Sequence, residues 1–299
     1  MIESMRNAWR KNAPELVGLS TGATPDFVLA RRPVSPLPGV PVFGFHLVQG
    51  PTFEADLAFL TENDYTTLGA TELVDYLAGR SSVPERSVVL TFDDGPRNFH
   101  EVAFPLLRRF GHRAVAFIAP GLHAEQASAE EGSDRPLTWP EIREIHASGL
   151  VDFQSHTLES RYVPRWPEAA ALAGCAPRIE AVRRGPARSI EDDLDASRGL
   201  LEEKLPGSRI RHLAFPMYVG SDEAVAAGRK LGFEGFFWGL LPGRPMNRQG
   251  ESASHISRLS DEFLRRLPGV GRISYSGLLR ERWRRVQEGR AWRRRYSTV

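Results

Sequence analysis

Seven short apolar runs, separated by stretches with helical periodicity, restrict this chain more than any other feature. They fall at residues 40–45, 88–92, 114–119, 151–154, 212–215, 235–238 and 256–259. Each is too short for a helix and most are rich in Val, Ile and Phe, as strands covered on both faces are. The stretches between them carry helix signals. Thr52 precedes Phe53, Leu57 and Leu60; Thr71 precedes Leu73, Val74 and Leu77; Gly111 closes residues 99–110. Thr138 caps 139–147 with Gly149 beyond, Ser189 and Asp192 stand at capping-box spacing before Leu194, and Ser221 opens a helix that Gly232 ends. Strand then helix, repeated, demands parallel strands joined by right-handed crossovers. Seven such units favour a barrel, intact or incomplete, over an open sheet.

The regions on either side read differently. Residues 1–39 hold five prolines and little periodicity, which predicts a short helix and an irregular arm ahead of a barrel at 40–271. From Arg272 onward nine Arg face Glu281 and Glu288, so residues 272–299 carry 9 − 2 = +7 of a whole-chain formal charge of +2 and leave the rest at −5. In this basic tail Leu279, Trp283 and Val286 share one helical face opposite Arg. That pattern suits contact with an anionic membrane or carrier lipid, or a helix packed by one face. No recognised nucleic-acid motif accompanies the charge, so nucleic acid is not an expected partner. The single cysteine, Cys175, excludes an internal disulfide framework and any multi-Cys zinc site, so a metal must be held by His, Asp or Glu. The opening residues carry an acid at once with no apolar run behind it, and the expected location is cytoplasmic.

Chemistry-bearing residues collect where the strands stop. Thr91-Phe92-Asp93-Asp94-Gly95 ends the run at 88–92 in two adjacent carboxylates, and Ser155-His156-Thr157 ends the run at 151–154. Strand C-termini are where parallel α/β enzymes place their sites. Neighbouring residues on a strand face opposite ways, so one Asp can hold a metal while the other addresses a water. The alternatives are an Asp-Asp-Gly turn that only ends a strand, and a structural His.

Thr-Phe-Asp-Asp-Gly, a Ser-His-Thr about sixty residues on, and Leu213-Ala214-Phe215-Pro216 leading to Gly232-Phe233 together resemble the polysaccharide deacetylase (NodB-homology) family. Residues 41–46, 63–73 and 103–107 resemble its flanking segments, and the likeness covers about three quarters of the chain. The resemblance implies an α/β fold, an incomplete (β/α)7 barrel, and hydrolysis of non-peptide C–N bonds by N-deacetylation of an amino sugar, with a divalent metal, often zinc. Residue by residue it makes Asp93 the catalytic base, Asp94 and His156 metal ligands, and Thr157 the brace of the motif loop. Backbone N–H groups after Pro216 would stabilise the oxyanion. His255 is the candidate general acid; His46, Arg161, Trp166, Pro216 and Met217 are candidates for lining the substrate site.

The chain departs from the family pattern in two places. The second metal His is replaced by Ser160 and Arg161, leaving two ligands where a catalytic zinc normally has three, with Glu159 and His46 as candidates to complete the set. Ala214 and Met217 stand where many members have Arg and Tyr. Three functions therefore stay open: a metal-dependent deacetylase acting on a carbohydrate, a metal-independent amidase of the same fold, and an inactive carbohydrate-binding scaffold.

Overall fold

The computed structural model describes residues 24–33, 35–126, 135–160, 189–241, 243–278 and 280. Arg161 and Trp166, and the tail from residue 281, lie outside the described residues.

Among the described residues there are eight parallel strands: β1 (Val42–Phe45), β2 (Thr66–Thr67), β3 (Ser87–Asp93), β4 (Ala114–Ile118), β5 (Val151–Ser155), β6 (His212–Ala214), β7 (Gly235–Phe237) and β8 (Leu259–Ser260). They run in the order β7-β6-β5-β4-β3-β1-β8, while β2 pairs only with the start of β3. The segment entering β8 closes the ring. Ile256 bridges to Phe237 of β7, and three residues later Leu259 pairs with Phe43 of β1. The result is a barrel of seven staves, one short of the eight-stranded form. The seven apolar runs are these staves. The last is assigned three residues later than its apolar run begins because the segment changes partner in mid-course.

Side-chain alternation divides the core in two. Val42, Val89, Val115, Phe117, Ala214, Phe237 and Ile256 fill the ring together with Leu73, Val74 and Leu77 of the helix Ala70–Leu77, which covers the end where the strands begin. Val88, Leu90, Phe92, Ile118, Phe153, Leu213 and Phe236 point outward into a larger cluster shared with the surrounding helices. Three helix starts follow the sequence signals: the hydroxyls of Thr138, Ser189 and Ser221 accept from the backbone N–H of Glu141, Asp192 and Ala224. The helix Gly50–Glu62 begins ahead of Thr52, because Pro51 in its first turn has a backbone already set for a helix start. The helix Ala70–Leu77 starts earlier than Thr71 implied, because the Glu72 carboxylate accepts from Gly69 N at 2.7 Å. Thr71 is left to pair with His212 Nε2 at 3.0 Å. Residues 99–110 divide into a π-helical turn, Phe99–Ala103, and a helix, Phe104–Phe110. Pro105 explains the break, since its ring lacks an N–H and clashes with the carbonyl four residues back.

The arm and the start of the tail belong to the body over part of their length. Phe27 and Val28, on the short helix Asp26–Leu29, are buried in the larger cluster. Arg266, itself buried, donates to the carbonyls of Val28, Ala30 and Ile273. Arg272 donates to those of Phe27 and Ala30, both at 2.7 Å. Among the described residues no helix is long and apolar enough to cross a membrane.

Candidate active site

The three motif residues meet at the C-terminal end of the ring. Val89, Thr91 and Asp93 alternate inward along β3, so the strand's own parity places Asp93 inside. The chain then turns through two left-handed residues, Asp94 (φ 69°) and Gly95 (φ 62°), which redirects Asp94 toward the neighbouring strand ends. Only glycine suits the second position. A Cβ on Gly95 would sit 2.7 Å from Ile118 Cγ2 and 3.0 Å from His123 Cε1. A short antiparallel contact straps the turn from outside: Leu137 N donates to Gly95 O at 2.9 Å and Arg97 N to Arg135 O at 2.7 Å.

Asp93 is only 2% exposed and is paired with Arg258, whose Nη1 lies 2.6 Å from its Oδ1. Burial pushes the carboxyl up. The Arg258 guanidinium, aided by His156 and His46, outweighs that and holds it below the usual carboxylate range. Arg258 is fixed by donation from Nε to Trp238 O at 3.0 Å and lies 4.7 Å from the Tyr218 ring centroid. The Arg missing from the Pro216 segment thus has a counterpart from the segment entering β8. The sequence offered one signal for it, a charge alternating with Ile256 inside an otherwise apolar run.

Asp94 and His156 face each other across the ring's rim, Oδ1 to Nε2 at 3.5 Å. His156 Nδ1 lies 2.8 Å from Ala214 O, and a carbonyl only accepts, so Nδ1 donates and Nε2 is the nitrogen turned to the carboxylate. A proton or a cation between Nε2 and Oδ1 is what joins the pair. A carbonyl on the far nitrogen is also the usual support of a metal-bound His. Ser160 Oγ donates to Asp94 Oδ1 at 3.3 Å. Among the described residues no group of three His, Cys, Asp or Glu is placed to hold an ion, so neither Glu159 nor His46 completes the set. These donors fit a divalent cation in chemistry and fall one short of a resident zinc site in number.

The remaining candidates divide. His46, just past β1, has its Nδ1 3.4 Å from Tyr218 Oη and acts electrostatically on Asp93. Thr157 is buried in the left-handed region (φ 65°), and its backbone N donates to Ser155 Oγ at 3.2 Å. Pro216 begins the turn Pro216–Tyr218, in which Met217 is half exposed at 49%. His255 is not brought to this group. Ile256 and Arg258 face inward, so parity turns His255 out, where it stacks on Trp238 with centroids 5.3 Å apart. Burial, Arg244 and Arg229 lower its pKa, against Asp222. Sequence reasoning passed over Arg258 and Tyr218. It also passed over His123, which packs beneath Gly95 and has its Nδ1 2.7 Å from Leu137 O.

Residues 80–236, more than half of the chain, match the profile of the family described as polysaccharide deacetylase. The chain belongs to the polysaccharide deacetylase family. A poly-β-1,6-N-acetyl-D-glucosamine N-deacetylase of Escherichia coli K12 is 32% identical over 125 residues, covering 40% of this chain and 19% of that protein. A Staphylococcus aureus protein of the same name is 22% identical over 182 residues, covering 61% of this chain and 57% of its own. The chain therefore spans about a fifth of the first relative's length and under two thirds of the second's. Among solved structures, IcaB from Ammonifex degensii superposes with a TM-score of 0.61 at 25% identity, over 76% of this chain and 94% of that one. The deacetylase domain of BpsB from Bordetella bronchiseptica gives 0.56 at 20% identity over 75% and 96%, a likeness of fold. The incomplete α/β barrel expected from the sequence is the fold that this deacetylase family shares.

Proposed function

We propose that this chain hydrolyses the acetamido group of N-acetylated sugars within a polysaccharide. The observation that carries the reading is a buried Asp93 paired with Arg258 at 2.6 Å beside the Asp94–His156 pair at the strand ends. A carboxylate kept charged by a neighbouring guanidinium accepts a proton from water as the water attacks the amide carbon. Arg258 touches no reacting atom and orients the base. Asp94 and His156 would hold a divalent ion, which when bound polarises the amide carbonyl. The turn after Pro216 is the element proposed to supply N–H groups to the oxyanion. His46 is the imidazole grouped with Asp93 and takes the role of proton donor to the departing amine. His255, stacked on Trp238, does not.

Acetate release from oligomers of β-1,6-linked N-acetylglucosamine, with and without added divalent metal, tests the reading. Release that disappears in Asp93→Asn, by about 10²-fold or more, is expected of a general base. Saturable oligomer binding with no acetate under any metal would replace the enzyme with a carbohydrate-binding scaffold.

A further inference from the structure

Tyr218 is the side chain to which the site's two proton-handling arms both attach. It follows Met217, and the two residues take successive left-handed conformations, φ 56° and 65°, that non-glycine residues adopt only where the surroundings impose them. The surroundings here are specific. Tyr218 N donates to Phe215 O at 3.1 Å and Gly239 N donates to Tyr218 O at 3.0 Å. The side chain enters a slot made by two glycines: a Cβ on Gly239 would lie 2.8 Å from Tyr218 Cβ, and one on Gly44 of β1 would lie 3.1 Å from its hydroxyl. The strained turn thus exposes Met217 and turns Tyr218 inward.

From that slot the ring covers the Arg258 guanidinium at 4.7 Å, a cation–π distance. Arg258 Nη2 is buried with no hydrogen-bond partner among the described residues, so the ring face restrains a side of the guanidinium that no acceptor holds. The hydroxyl lies 3.4 Å from His46 Nδ1, with the two rings edge to face at 5.7 Å. We propose that Tyr218 is a positioning residue for both arms: its ring holds the arginine that orients Asp93, and its hydroxyl engages His46 Nδ1, which directs Nε2 toward the leaving amine. The proposal rests on the deacetylase reading for its kinetic half and on geometry alone for its spectroscopic half.

Tyr218→Phe keeps the ring and deletes the hydroxyl; Tyr218→Leu deletes both. At fixed pH, Tyr218→Phe is expected to lower kcat for acetate release about tenfold with KM within about twofold, and to move the His46 Nδ1 resonance in a ¹⁵N spectrum of the full chain. Tyr218→Leu is expected to lower kcat about tenfold further, as the guanidinium loses its cover. A wild-type kcat and an unmoved His46 resonance in Tyr218→Phe would overturn the proposal, as would a loss confined to melting temperature. If the unmodified protein releases no acetate from any sugar, the spectrum decides alone. A moved resonance then keeps Tyr218 as the residue holding His46 and removes the deacetylase reading; an unmoved one removes both.

Discussion

Two arginines, Arg258 and Arg266, are buried to the same degree, 2% and 1% exposed, and they are held in opposite ways. Arg258 faces a carboxylate, and its charge is spent on keeping Asp93 ionised. Arg266 meets backbone carbonyls, those of Val28, Ala30 and Ile273, with Arg272 beside it rather than an acid. Burial and that second cation pull its pKa down to about 10. Three carbonyl dipoles accept from its Nε, Nη1 and Nη2 without cancelling its charge. A buried guanidinium therefore serves the site where a carboxylate shares its pocket. Where only carbonyls do, it is a clamp between segments far apart in sequence, here 238 residues.

The sharpest way to break the comparison is to remove each charge in turn. Arg258→Met leaves Asp93 buried and unpaired, which typically costs about 3–5 kcal/mol of folding free energy. Without the guanidinium, burial dominates and the Asp93 pKa rises, so the acidic limb of the rate profile moves to higher pH. The sign for stability is consistent with this. A carboxylate whose folded pKa is depressed contributes stability above its unfolded value, and that contribution is lost as pH falls through the folded pKa. The denaturation midpoint and the pH profile of acetate release read both effects. Arg258→Met with Asp93→Asn should regain much of the folding loss and none of the activity; a double variant as unstable as the single would show that the ion pair is not the reason.

Arg266→Met should cost less, about 2–3 kcal/mol, since carbonyls are left unpaired but no buried charge remains. Activity per folded molecule should stay within about twofold. Loss of activity without loss of stability would erase the distinction between clamp and site arginine.

The smallest effect belongs to the ion. Ser160→His adds the donor that the Asp94–His156 pair lacks, and should tighten divalent-metal retention about tenfold, or about 1.4 kcal/mol, by metal analysis after brief chelation. Stoichiometric zinc that resists chelation in the unmodified protein would mean that a third ligand already stands outside the described residues.

Much of this was legible in the sequence because parallel strands are buried on both faces and their apolar runs stand out. Asp93, Asp94 and His156 were legible because they sit at strand ends, where position alone suggests chemistry. The strand Thr66–Thr67 was not, since two threonines bear no pattern. Arg258 was hidden for a different reason. Its partner lies 165 residues away, and which way it faces depends on the register that joins Ile256 to Phe237 and Leu259 to Phe43. A shift of one residue would have put His255 inside instead, and no local signal fixes that choice. The helix start at Thr71 was misplaced because a glutamate two positions from the boundary can cap as well as a hydroxyl before it.

The closure of the ring by the segment around Ile256 also bears on how the molecule comes into being. A chain made from its N-terminus delivers Asp93 first and Arg258 only 165 residues later. Until then a barrel sealed around Asp93 would enclose an unpaired carboxylate, so the nascent chain is biased against sealing it. The same late segment brings Arg266 and Arg272 to the waiting carbonyls of Phe27 and Ala30. Birth order thus ties the pairing of Asp93 to the arrival of the segment that closes the ring, and a product ending before residue 258 would lack both the guanidinium and the Leu259–Phe43 pairing.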